Sequence, residues 1–215
     1  MCSVNSASLY RMSSVDPQLF KNIAEAVYSR GYCVIENALP KDLALSLLDR
    51  VKTLKQEEFQ DAGVGRKNAY GKHEDIRQDK IFWIDGVCDT EKAWLEWTSL
   101  LQQEINQSLF LGLFSYESHF SHYQQGEFYK RHVDAFRGQS NRKLSTVTYL
   151  NPEWDTSDGG ELLIYNEKSG QVIEQVAPHL GTLVVFLSEK FPHEVLPATQ
   201  DRYSIAGWFR VNEGL

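Results

Sequence analysis

Cysteine, proline and methionine are scarce, at three, six and two among 215 residues. The three cysteines (Cys2, Cys33 and Cys88) are odd in number and lack CxxC spacing. This excludes a disulfide framework and points to reduced thiols in a cytoplasm. No stretch approaches the ~20 apolar residues that a membrane span requires. The polar, Ser-rich segment Met1 to Asp16 lacks the apolar core of a secretory signal. Basic residues are in deficit, 22 Lys+Arg against 29 Asp+Glu, a net charge of −7. General nucleic-acid binders carry the opposite excess, because phosphate neutralisation drives their affinity. Neither a nucleic acid nor a membrane is therefore expected as a partner. There is no internal repeat and no low-complexity tract.

What is present is an ordinary globular composition, 42% hydrophobic and 24% charged. The length suits one domain, 1–215, expected to be a monomer. A chain this long buries roughly 70% of its unfolded surface, enough for a core without covalent staples. Its two halves differ, with helical support and a mobile loop expected in 1–115 and a β core in 116–211. Asp16-Pro17 reads as cap and first turn of a helix carrying Leu19, Phe20, Ile23 and Val27, stopped by Gly31. Tyr32 to Ile35 reads as a short strand. Pro40 opens a second helix with Leu43, Leu47, Val51 and Leu54 on one face, and a third is expected over about 90–109 around Trp94, Trp97, Leu101 and Ile105. Between the last two, Gln60 to Lys72 is Gly-rich, basic and poor in aliphatics, as in a binding loop or a solvated tip. Order returns at Ile81 to Ile84.

Beyond Tyr116 the pattern becomes short strands with turn signals. Strands are expected at 116–124, 128–134, 144–150, 161–165, 171–176, 182–187, 193–196 and 202–211. Gln125-Gly126, Asp158-Gly159-Gly160 and Ser169-Gly170 supply turns between them. Eight short strands at this spacing suggest an antiparallel sandwich or jelly roll.

His132-Val133-Asp134 would place an imidazole and a carboxylate on one strand face, since residues i and i+2 project together. His193, in Pro192-His193-Glu194-Val195, could add a second imidazole. Two histidines and one carboxylate on one face of such a core form a facial set that leaves three positions open on an octahedral metal, the pattern of non-haem Fe(II) oxygenases. Zinc prefers four tetrahedral ligands, and no nearby cysteine offers a fourth. Arg202 lies in an apolar strand, where a guanidinium needs a partner, and a ligand carboxylate held by a bidentate fork would provide it. Tyr149 could add a hydroxyl to the same carboxylate, and Tyr123 could line the cavity. His73, His119, His122 and His179 read as structural or solvent-facing.

The ordered set Tyr123, Tyr129 to Asp134, Tyr149 to Trp154, Gly159 to Leu162, Pro192 to Val195, Arg202-Tyr203 and Trp208 resembles the prolyl hydroxylase domain enzymes. These are Fe(II)- and 2-oxoglutarate-dependent dioxygenases related to the animal oxygen-sensing prolyl hydroxylases. The similarity extends upstream into Asp75 to Ile84. It implies a mainly β fold, a double-stranded β-helix (jelly roll) core packed against N-terminal helices. His132, Asp134 and His193 would bind iron, Arg202 with Tyr149 the distal carboxylate of 2-oxoglutarate, and Tyr123 the cosubstrate near the metal. The implied cofactors are Fe(II), 2-oxoglutarate and O2, with ascorbate as a candidate reductant. The segment from Tyr123 to His132 is one residue shorter than in the animal enzymes, with Gln124-Gln125 in place of Pro-Gly. Asp134 favours hydroxylation, because halogenases of the superfamily typically lack this carboxylate.

The resemblance implies prolyl 4-hydroxylation of a partner protein, with elongation factor Tu a candidate because similar bacterial enzymes act on it. Arg66, Tyr70, Arg77 and Trp208 are the candidate substrate contacts, with loop 60–80 closing over the peptide. Two alternatives stand beside this reading. A hydroxylase of a free amino acid or other small molecule would show a deep closed pocket, and a non-catalytic jelly-roll binding module would keep the ligands without turnover.

Overall fold

The computed structural model describes residues 16–62, 75–135, 138 and 141–212. The N-terminal half supplies three helices. In α1 (Pro17–Arg30) the Asp16 carboxylate accepts the Gln18 N–H, and Gly31, at φ 83, closes the last turn onto the Val27 carbonyl. β1 (Tyr32–Ile35) follows, then α2 (Lys41–Thr53), opened by Pro40. β2 (Gln60–Asp61) and β3 (Lys80–Trp83) pair with each other, and α3 spans Asp89–Leu109. The expected loop thus begins with a short strand, Gln60–Asp61, tied to Lys80 and Ile81. Residues 63–74 of that segment lie outside the described residues.

The second half is β4 (Ser115–Tyr123), β5 (Tyr129–His132), β6 (Arg142–Tyr149), β7 (Leu162–Tyr165), β8 (Val172–Val176), β9 (Leu183–Leu187), β10 (His193–Val195) and β11 (Arg202–Arg210). All eight expected strands form, most with ends shifted by one or two residues. The strand expected at 128–134 stops at His132, so Asp134 projects from the bend beyond it. Two antiparallel sheets result, ordered β1-β9-β6-β11-β4-β3-β2 and β5-β10-β7-β8. This is the jelly roll the strand spacing suggests.

The large sheet has two buried faces. On one, Phe120, Leu144, Leu183, Val185, Ile205 and Phe209 meet Ile23, Leu47, Trp94, Trp97, Leu101 and Ile105 from the helices. On the other, Tyr123, Tyr149, Val184 and Phe186 meet Leu162, Ile164 and Val195 of the small sheet. β11 is central, bonded to β4 and β6. Its even positions Arg202, Ser204, Ala206 and Trp208 line a cavity between the sheets, while Ile205 and Phe209 enter the helical core. Gly207 must lack a side chain, since a Cβ there would collide with the Tyr116 phenol.

One charge is buried among the helices. The Glu91 carboxylate, 0% exposed, accepts Arg50 Nε at 2.9 Å and the N–H groups of Gly86 and Val87 at 3.2 Å. This knots the start of α3 to α2. Among the described residues no helix is long and apolar enough to cross a membrane.

Leu47 is fully buried where α2 meets the rest of the core. Leu47→Ala should cost about 2–5 kcal/mol in urea unfolding free energy. A loss below about 1 kcal/mol would mean that α2 contributes little to the core.

Candidate metal centre and cosubstrate cavity

β10 pairs with β5 so that His193 stands directly opposite His132. Their rings lie 4.2 Å apart. Each Nδ1 is held by a local carbonyl, His132 to Lys130 O at 2.8 Å and His193 to Phe191 O at 2.9 Å. A proton on Nδ1 satisfies both bonds and leaves both Nε2 atoms as lone-pair donors. The bend after β5 brings Asp134 Oδ1 to 3.6 Å from His132 Nε2 and 3.8 Å from His193 Nε2. The three ligand atoms fall within 4.8 Å of one another, close enough to hold one metal ion.

Charge states suit ligation. Burial pushes the His193 imidazole down to about 4, with His132 adding to the shift and Asp134 opposing it. Burial would raise Asp134, but the two imidazoles and the Ser145 hydroxyl hold its carboxyl far below the usual range. A neutral imidazole and an ionised carboxylate are the ligating forms. Two histidines and one carboxylate are also the set that suits a non-haem Fe(II) site.

Arg202 is 1% exposed. Its Nε donates to Gly160 O at 2.8 Å and its Nη1 to Ser204 Oγ at 3.3 Å, with the Tyr123 and Tyr149 rings each 5.0 Å from the guanidinium carbon. Gly160, at φ 72, permits this approach, because a Cβ there would crowd Arg202 Cδ and Ala198. Arg202 Nη2 and Tyr149 Oη are buried without a hydrogen-bond partner. Unmet buried donors are costly, and a carboxylate is the group that would satisfy both. Burial raises the Tyr149 phenol to about 12, with the guanidinium opposing, so it stays a donor. Arg202, Tyr123 and the His-Asp-His cluster line one cavity between the sheets, and Tyr149 packs against Arg202 beside it.

Other expected residues behave differently. Tyr123 is buried in the cavity wall. Trp208 also lines it, stacked under the Arg142 guanidinium at 3.8 Å, which Glu117 holds at 2.8 and 3.1 Å. Arg77 reaches the cavity but is not a free cation. Its guanidinium grips Asp79 at 2.5 and 2.9 Å and lies 4.6 Å from the Tyr129 ring centre. Arg66 and Tyr70 lie outside the described residues, as does His73. His122 bonds Asp201 and stacks on Tyr203. His119 is buried between Trp83 and Trp208.

The sequence reading did not reach Asp79 or Ser145. Asp79 is 1% exposed, and Arg77 overcomes the effect of burial to hold its carboxyl below the usual value. The i, i+2 spacing of Arg77 and Asp79 was the available signal. Ser145 had none, since a serine in a strand reads as surface.

Residues 118–210 match the family model of the 2OG-Fe(II) oxygenase superfamily. A solved Pseudomonas putida prolyl-4-hydroxylase is 38% identical, matching 90% of this chain and 99% of that one with a TM-score of 0.81. A Trichoplax adhaerens prolyl hydroxylase, solved with a hypoxia inducible factor oxygen degradation domain peptide fragment, is 28% identical, matching 90% and 89% with a TM-score of 0.78. Human Egl nine homolog 1 is 31% identical over 199 residues, 87% of this chain and 45% of that protein. This chain spans about half the length of the first curated relatives it matches.

His119 gives a pH prediction. Burial first, then the Arg77 charge, lowers its imidazole from 6.5 to about 4. The unfolded chain therefore binds more protons between those values, and stability falls as pH falls through that window. Going from pH 7 to about pH 4, the wild type should lose about 3 kcal/mol more unfolding free energy than His119→Asn. Parallel losses in urea titrations of the two proteins would show that His119 is not held neutral.

Proposed function

This chain belongs to the prolyl hydroxylase family of 2OG-Fe(II) oxygenases, and we propose that it 4-hydroxylates a prolyl residue in a protein substrate. The observation that carries the proposal is one cavity that brings together two unlike sets of ligand-binding groups. At one side His132, Asp134 and His193 converge, and at the other lies Arg202, whose Nη2 is buried without a hydrogen-bond partner, as is Oη of Tyr149 packed against it. The family's cofactors are Fe(II), 2-oxoglutarate and O2. Bound together, they supply the oxidising chemistry, in which 2-oxoglutarate is decarboxylated to succinate and a substrate C–H bond becomes C–OH.

The protein's part is placement and exclusion of water. His132, Asp134 and His193 would hold the iron on one face and leave the other open. Arg202 and Tyr149 would fix the far carboxylate of 2-oxoglutarate, so its keto acid end points at the metal. Tyr123 closes the wall beside them, and Trp208 walls the same cavity. A further depression lined by Asp61, Gln78, Lys80 and Glu127 adjoins the cavity and shares Arg77 with it. An open depression beside the cavity suits an extended peptide better than a free amino acid, which favours a protein substrate. Elongation factor Tu is the candidate drawn from the resemblance, and a cytoplasmic setting agrees with the free thiols of Cys33 and Cys88. We read the chain as one oxygenase unit, with helices backing the jelly roll.

The test incubates the protein with Fe(II), 2-oxoglutarate, O2 and elongation factor Tu, with free proline in a parallel reaction. The expected result is one added oxygen atom on a prolyl residue, with matching succinate. Hydroxylation of free proline alone would move the reading to small molecules. Asp134→Ala should abolish both products with the fold retained, and normal turnover would overturn the ligand assignment. Arg202→Ala should raise the 2-oxoglutarate requirement at least ~100-fold, since leaving a buried carboxylate unpaired costs roughly 3–5 kcal/mol.

A further inference from the structure

Asp134 uses its two oxygens differently. Oδ1 faces the histidine Nε2 atoms. Oδ2 turns away and accepts Ser145 Oγ at 2.6 Å, the short distance of a hydroxyl bonded to an ionised oxygen. Ser188 Oγ lies 2.9 Å behind Ser145 Oγ. A hydroxyl has one proton, and of the two acceptors in reach of Ser145 the carboxylate is the shorter and charged one, with Ser188 Oγ the close second neighbour. Both serines are buried, at 1% and 0% exposure. The sheet register makes the chain possible. Ser145 on β6 is opposite Phe186 on β9, which puts Ser188, two residues further on, at its diagonal.

We propose that Ser145, backed by Ser188, is a positioning residue that keeps Asp134 a one-oxygen ligand. The inference rests on His132, Asp134 and His193 being the metal ligands. An octahedral ion with two imidazoles and one carboxylate oxygen has three positions left. A two-oxygen grip by Asp134 would leave only two, the number a chelating keto acid needs, and none for O2. Without Ser145, Oδ2 would face a dry pocket with an unmet charge and would turn toward the metal. The serine pair therefore governs how many coordination positions stay open, and with them whether a position remains for O2 once the keto acid is bound.

The test uses Co(II), a redox-inert probe with visible bands sensitive to coordination number, with no turnover. Ser145→Ala should bind Co(II) about 10–100-fold more weakly, as expected when the partner of a ligand is removed. Its Co(II)·2-oxoglutarate spectrum should change intensity, and Ser145→Thr, which keeps the hydroxyl, should restore both. Ser188→Ala should move both readouts the same way but less. A Ser145→Ala protein that is folded and matches wild type in affinity and spectrum would overturn the inference while leaving the ligand assignment intact. If Ser145→Ala does not fold, Ser188→Ala decides, and wild-type values for it would overturn the proposal. Wild-type protein that fails to bind Co(II) would overturn the ligand assignment and this inference together.

Discussion

A guanidinium with 1% exposure in the middle of a β sandwich is the interaction on which this architecture turns. Arg202 opens β11, the central strand, and every element around it is shaped to tolerate the charge. Gly160 gives up a side chain so that its carbonyl can reach Nε. Tyr123 and Tyr149, on the strands flanking β11, present ring faces to the cation. These contacts leave Nη2 unmet. Within the protein alone the site is under-satisfied. The same strand carries Trp208 and, from its other face, Ile205 and Phe209, so sheet, helical core and cavity share one backbone.

The metal cluster depends on that frame at one remove. His132 and His193 meet because β5 and β10 are in register, and Asp134 joins them from the bend two residues beyond the end of β5. Extending the strand through Asp134 would commit its backbone to the ladder and change the aim of its carboxylate. The irregular end of a short edge strand is thus where the chemistry is concentrated, and a buried serine from the large sheet holds its direction.

Much of this was legible in the chain. Period-two alternation and Gly-containing turns located all eight strands of the second half, because each strand buries one or both faces and its turns need unusual dihedral angles. The helices were legible for the same reason at period 3.6. His132 and Asp134 stood out by their i, i+2 spacing, His193 as a second histidine in a late strand and Arg202 as a charge in an apolar strand, and the resemblance joined them with Tyr149 into one site. Pairing and small polar residues were harder to read. Arg77 looks like a surface cation until Asp79 is seen to neutralise it, and that depends on backbone direction at an irregular edge. Ser145 and Ser188 are ordinary in sequence, and their meaning comes from a diagonal across β6 and β9 that no local pattern encodes. β2 was hidden because two residues carry no periodicity.

β1 joins the large sheet only through β9, where Tyr32 pairs with Phe186. On the ribosome, Tyr32 emerges about 150 residues before its partner, a wait of roughly ten to thirty seconds at ordinary elongation rates. During that time α1 and α2 can already pack on β1 and α3, which the first half of the chain supplies, but the part of their apolar surface that faces Leu144, Leu183, Val185, Ile205 and Phe209 has no sheet to lie against. Synthesis therefore allows the three helices to gather early, with one apolar flank of that assembly exposed until the final strands arrive to cover it.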